Sequence, residues 1–96
     1  MKLLRLEKSS KPDKKYMAVF ESDSGREKTT HFGAAGMDDY TLTGSKEQRE
    51  RYRQRHEKDL QTGDPTRAGF LSYWILWGPT TSVAKNLEAY KRKYNL

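Results

Sequence analysis

The segment from Lys46 to Lys58 carries a dense run of cations. Lys46, Arg49, Arg51, Arg53, Arg55 and Lys58 stand against Glu47, Glu50 and Glu57, a local excess of three positive charges. Guanidinium and ammonium groups bind phosphates and carboxylates, so such a run suits a phosphate backbone or an acidic protein. At helical spacing Tyr52, His56 and Leu60 form a narrow docking stripe, with Arg49 and Arg53 flanking it. Arg51, Arg55 and Lys58 form a separate basic row. The plainer reading is a solvated helix face laced by pairs such as Glu47–Arg51 and Arg53–Glu57. The interleaved glutamates also repel phosphate.

His31 and His56 are the only histidines, and cysteine is absent. Disulfides and thiolate zinc sites are therefore excluded. A metal centre would need carboxylates such as Asp38 and Asp39 to complete it, and nothing in the spacing demands one. Neither a nucleophile-elbow motif nor a His–Glu–x–x–His run occurs. Gly33-Ala34-Ala35-Gly36 lacks the lysine and hydroxyl that complete a phosphate loop, and reads as a tight turn leaving a strand. No catalytic residue, metal ligand or cofactor site is assigned, and the chain reads as no enzyme. A small enzyme would need a concave site at His31 or His56 with an acidic partner.

The richest aromatic stretch is Phe70 to Trp77. Phe70, Trp74 and Trp77 fall at i, i+4, i+7, the spacing of one helix face. The plain reading is core. The other is a docking anchor using Tyr73 and Trp77, because tryptophan, tyrosine and arginine are enriched at interface hot spots.

These residues need elements to hold them. Residues 2–8, 15–21 and 27–32 show strand patterns, and Leu4 and Leu6 are expected on one face of the first. Polar turns at 9–14 and 22–25 separate them. An antiparallel meander is the simplest connection. An irregular crossover carrying Tyr40 covers 34–44. Ser45 with Gln48 fits a capping box opening a helix. Asp64-Pro65 opens a second helix over 65–77, and Gly78-Pro79 stops it. Thr81 or Ser82 caps a third, with Val83, Leu87, Tyr90 and Tyr94 in one stripe. Lys91, Arg92 and Lys93 occupy its last turn, where cations suit the helix dipole. The expectation is one α+β domain over 1–96: a three-stranded meander at 1–33, the crossover at 34–44, and three helices in 45–96.

Composition narrows the partners. The 96 residues have a formal net charge of +6, with 33% charged and 33% hydrophobic residues. Eleven aromatics, clustered in 16–40 and 70–94, favour a folded chain with a thin core. The longest apolar stretch, Tyr73 to Trp77, is far short of a membrane span. Met1-Lys2-Leu3-Leu4-Arg5 does not lead into a signal-peptide run. The positive balance favours an anionic partner.

The ordered set Thr30-His31-Phe32-Gly33, Asp39-Tyr40-Thr41, Arg51-Tyr52, Arg55-His56, Ala68-Gly69-Phe70, Trp74-Ile75-Leu76-Trp77 and Pro79-Thr80 resembles a family of small basic proteins encoded by nucleocytoplasmic large DNA viruses and some algae. The resemblance spans about residues 28–94. Gly78 departs from the asparagine-containing linker usual there. The resemblance carries no catalytic residue. It implies a virion setting, and the host cytoplasm during assembly, for a minor capsid protein that bridges larger subunits. In that reading Arg49, Arg51, Arg53, Arg55, Lys58, Tyr73, Trp77, Lys91, Arg92 and Lys93 are candidate contacts to other capsid or virion proteins. The alternative is a nucleic-acid-binding protein for packaging or regulation, with Arg51, Arg55 and Lys58 on phosphates and Lys91–Lys93 adding to one continuous basic face.

Overall fold

The computed structural model describes residues 1–96. Three strands form one antiparallel sheet in the order β1-β2-β3: β1 Lys2–Lys8, β2 Lys14–Glu21 and β3 Glu27–Ala34. Sheet first and helices after is the α+β arrangement that the patterns require. β2 is central, and its Ala18 and Phe20 are wholly buried.

The facing of β1 differs from expectation. Leu3 pairs with Phe20 and Arg5 with Val19, so the register slips by one residue between them. Leu4 is the extra residue of this bulge and is 39% exposed, while Leu3 is 2% exposed. One inserted residue switches every side chain beyond it to the other face. Leu3 and Leu6 therefore share the core side, in place of Leu4 and Leu6.

β3 runs two residues beyond the expected Phe32. Gly33 makes this possible. Its φ is +80, and a Cβ there would lie 2.7 Å from Cδ1 of Leu76. The strand passes too close to the helical layer for a side chain.

The crossover is less irregular than expected. It holds a one-turn helix, α1 (Tyr40–Thr43), whose N-cap Asp39 accepts from the Thr41 N–H at 2.8 Å. α2 (Lys46–His56) opens at Ser45, whose hydroxyl accepts from the Gln48 N–H. Only half of the capping box forms, because the Gln48 side chain accepts from the Thr43 hydroxyl instead. The chain then tightens into 3-10 turns over Glu57–Thr62.

The next helix, α3 (Ala68–Leu71), starts three residues later than the expected Pro65. Asp64 accepts from both the N–H and the hydroxyl of Thr66, a local turn that competes with the helix. α3 widens into a π turn over Ser72–Leu76, and the Trp77 N–H donates to the Ser72 carbonyl. Trp77 still joins Phe70 in the core cluster, as the spacing predicts, and Trp74 packs against it partly buried. α4 (Val83–Lys93) begins at Ser82, which caps the Lys85 N–H. The three expected helices are thus α2, the α3–π unit and α4.

One cluster of 11 buried residues joins the layers, including Phe20 and Phe32 from the sheet, Leu71 and Ile75 from the α3–π unit, and Tyr90 from α4. Asn86 locks the turn between the last two elements. At 1% exposure, its Nδ2 donates to the carbonyls of Ile75 and Thr80, both at 2.8 Å. Its Oδ1 accepts from the Thr80 N–H and hydroxyl. Gly78 completes the turn. A Cβ there would lie 2.1 Å from the Trp74 carbonyl oxygen, so no larger residue fits without moving backbone.

Two predictions follow from this packing. Asn86→Ala should lower unfolding free energy in urea by about 2–4 kcal/mol, because it leaves several buried polar groups unpaired; an effect near zero would show that water replaces the amide. The second concerns alkaline pH. Burial pushes the Tyr90 phenol well above its usual 10.0. An unfolded chain ionises that phenol near its usual value while the folded chain keeps it neutral. Stability should therefore hold below pH ~10 and fall above it, and Tyr90→Phe should flatten part of the decline.

Candidate functional site

α2 has no buried residue, so only specific contacts hold it to the body. Arg53 supplies the firmest. Its Nε donates to the Trp77 carbonyl at 2.9 Å, and its guanidinium lies 4.9 Å from the Tyr73 ring centre and 5.2 Å from that of Trp74. Arg49 donates to the Gly78 carbonyl at 3.3 Å and covers the Tyr40 ring at 4.8 Å. Both arginines meet carbonyls just past the π turn, where a helix end leaves acceptors unpaired and favours cations. Between them Tyr52 stacks on Trp77 at 4.5 Å and on His56 at 4.1 Å. Burial raises the Tyr52 phenol above its usual range.

This changes the standing of the candidate contacts. Arg49 and Arg53 are occupied inside the protein. Tyr73 and Trp77 are buried, at 9% and 7% exposure, and present no open ring to a partner. The docking-anchor expectation for these two is corrected: their faces are covered by α2. Arg51 is exposed but pairs with Glu47 at 2.8 Å, as the helical spacing anticipated. The anticipated Arg53–Glu57 pair is absent, because Arg53 turns inward. Arg55 and Lys58 are exposed and free of ion pairs.

Lys91, Arg92 and Lys93 close α4 as expected. The Lys93 ammonium sits 4.7 Å over the Trp74 ring. Arg92 lines a shallow pocket with Lys85 and Glu88. None of the three lines the hollow that α2 creates.

That hollow is a groove of about 660 Å³ between the end of the sheet, α2 and the α3–π unit. Lys15 and Gly33 line one side, Tyr52 and Arg55 the other, with Leu76 and Trp77 beneath. His56 also lines it, and its Nδ1 lies 3.0 Å from Asp59 Oδ2. The condition set for an enzyme, a concave site at a histidine with an acidic partner, is met here in shape. The pair can orient an imidazole and hold a proton, but no hydroxyl is hydrogen-bonded to His56 as a nucleophile. His31 instead pairs with the Ser9 hydroxyl at 2.7 Å. No group of three or more His, Cys, Asp or Glu side chains converges as a metal site.

Adjoining the groove is a pocket of about 450 Å³ that shares Lys14, Lys15, Gly36 and Asp39 with it. Lys8 and Lys11 line it from the β1–β2 turn. Sequence reasoning took 9–14 as a polar turn and passed over these lysines. The signal was available: Lys8, Lys11, Lys14 and Lys15 lie within eight positions and enclose one carboxylate, Asp13. Lys15 is not free. It pairs at 2.5 Å with Asp39, which is 2% exposed.

A family model described as a family of unknown function (DUF5754) matches residues 4–56, more than half of the chain. The chain belongs to this family. The matched segment contains most of the sheet, the crossover and α2, and thus the lysines that line the two hollows and Arg55. The floor residues Leu76 and Trp77 lie beyond it. No curated protein and no solved structure matches the chain. No helix is long and apolar enough to cross a membrane.

Because Arg53 holds α2 in place, Arg53→Ala should cost about 1–3 kcal/mol of stability. Arg55→Ala, by contrast, should stay within about 0.5 kcal/mol. Equal effects in thermal or urea unfolding would contradict this division of roles.

Proposed function

We propose that the protein is a non-enzymatic interaction protein that bridges other proteins and grips them by charge. The division of its side chains carries this reading. The large exposed apolar residues are Met1, Leu4, Met37 and Leu42, with no aromatic among them. Lys8, Lys11, Lys14, Arg55 and Lys58 are exposed and outside any ion pair. Such a surface offers long-range attraction and register to a carboxylate-bearing partner. The resemblance over residues 28–94 supports a virion setting, with other capsid proteins as partners and the host cytoplasm as the place of assembly. In that setting the protein cofractionates with capsid shells emptied of genome.

Nucleic acid is the second reading. The continuity of the two hollows favours it, since Lys14 lines both and Arg55 lines the larger. Two features count against it. Single strands are held largely by stacking on exposed aromatics, and none is on offer. Asp38 and Asp59 line the same groove and repel phosphate. The cations of α4 lie outside this groove, so its lining does not extend to Lys91–Lys93.

Fluorescence anisotropy against a labelled mixed-sequence duplex and against labelled poly-glutamate, at several salt concentrations, separates the two. The expected result is binding to poly-glutamate at low salt and a duplex slope shallower than about −3 in log affinity against log salt. Micromolar or tighter duplex binding with a steeper slope would put nucleic acid first.

A further inference from the structure

We propose that the pocket between the β1–β2 turn and the crossover is a docking site for a short acidic peptide segment carrying a large apolar side chain. The proposal rests on the protein-partner reading above and names the chemistry of that partner.

The charge at this pocket is one-sided. Its lining includes four lysines and a single carboxylate, Asp39. Both oxygens of Asp39 are engaged within the fold, Oδ2 by Lys15 and Oδ1 by the Thr41 N–H and hydroxyl. Lys8, Lys11 and Lys14 are exposed and outside any ion pair, open to a ligand. An acidic segment complements them.

The pocket also has an apolar side. Leu42, 68% exposed, lines it together with Pro12 and Tyr16. Met37, 64% exposed, follows next to Gly36, which the two hollows share. A single exposed leucine is ordinary. Here the two most exposed large apolar residues come from one crossover loop, beside three unpaired lysines. That combination fits an acidic chain with an apolar anchor better than a phosphate backbone, which gains little from aliphatic contact.

The site is held ready. The Ala35 N–H donates to the Asp13 carbonyl at 3.0 Å, which ties the crossover to the hairpin turn. The Ser9 N–H donates to the Lys15 carbonyl at 3.1 Å and closes the turn itself. Little ordering remains for binding to drive, and preorganisation of this kind favours affinity. Concavity separates a peptide from a lipid surface. A pocket of about 450 Å³ takes in a side chain, whereas a bilayer is met by projecting ones.

The test begins with selection of a random dodecapeptide phage library on the intact protein. Selected peptides should be enriched in Asp and Glu around a Leu, Ile, Met or Phe. Synthetic copies should bind Lys11→Glu/Lys14→Glu roughly tenfold or more weakly, and Leu42→Ser severalfold more weakly. Arg55→Glu/Lys58→Glu should bind within about twofold of the parent. Far-UV circular dichroism checks that these surface variants fold. Peptides without acidic bias, or peptides indifferent to the hairpin lysines, overturn the proposal. Acidic peptides that depend on Arg55 and Lys58 overturn this site but leave the protein-partner reading intact. If no peptide is enriched and the protein cosediments with phosphatidylserine vesicles, a lipid surface replaces the peptide. Steep salt-dependent duplex binding removes both the site and the reading beneath it.

Discussion

The structure depends on how a wholly polar helix is fastened to a small core. α2 buries no residue, and its sequence has no apolar stripe wide enough to drive docking by hydrophobic burial. Two arginines do that work by ending on the carbonyls of Trp77 and Gly78. Those carbonyls lie where the π turn runs out, and a helix end needs acceptors satisfied and tolerates positive charge well. The guanidinium plane adds contact with the Tyr40, Tyr73 and Trp74 rings, which an ammonium could not match. Tyr52 fills the space between the arginines by stacking on Trp77. Without this fastening the groove would lose one wall.

A second electrostatic contact fixes the opposite wall. Lys15 on β2 and Asp39 at the N-cap of α1 form a nearly buried pair. Buried pairs contribute little net stability against apolar replacements, yet losing one partner is costly. Here the pair holds the crossover against the sheet. It also takes one lysine and one aspartate off the surface, which leaves the net charge unchanged but alters which residues a partner can meet. Of the cations in 46–58, Arg49 and Arg53 face inward and Arg51 pairs with Glu47, while Lys46, Arg55 and Lys58 remain open. A positive net charge would draw an anionic partner. Only packing indicates which residues meet it.

Much of the fold was legible because its signals are local. Alternation marked three strands, and Ser45, Ser82 and Gly78-Pro79 marked helix ends through their own hydrogen bonds and sterics. Features set by distant atoms, or by one local bond outcompeting another, were not legible. The bulge at Leu4 has no mark in β1 alone, and it reverses the facing that alternation implies. The π turn over Ser72–Leu76 likewise has no mark in the sequence, although Phe70 and Trp77 still meet in the core. Asp64-Pro65 carries the right residues for a helix start, but Thr66 draws the Asp64 carboxylate into a local turn. At the candidate site, the Tyr52 stripe indicated the side of α2 that docks, with Arg49 and Arg53 beside it, yet nothing in the sequence shows that both arginines end on carbonyls of the helical layer. The hairpin lysines were overlooked because a polar turn looks the same whether or not a second loop folds over it.

The size of the protein explains why its aromatics are not offered to partners. A chain this short buries a modest fraction of its surface, so each large ring is needed for stability. Tyr90, Phe20 and Phe32 are fully buried, Trp77 is covered by Tyr52, and Trp74 lies under the Lys93 ammonium. Moving any of them to the surface would remove a large share of a core of 11 residues. In the proposed reading, recognition is left to residues that cost the fold least when exposed: lysines around a hairpin turn and aliphatic side chains in the crossover. Such a surface gains on-rate and selectivity from charge, with a small apolar contact to slow release. Partner binding of this kind weakens with salt far more than the fold does, since the core is insensitive to the screening that acts on exposed lysines.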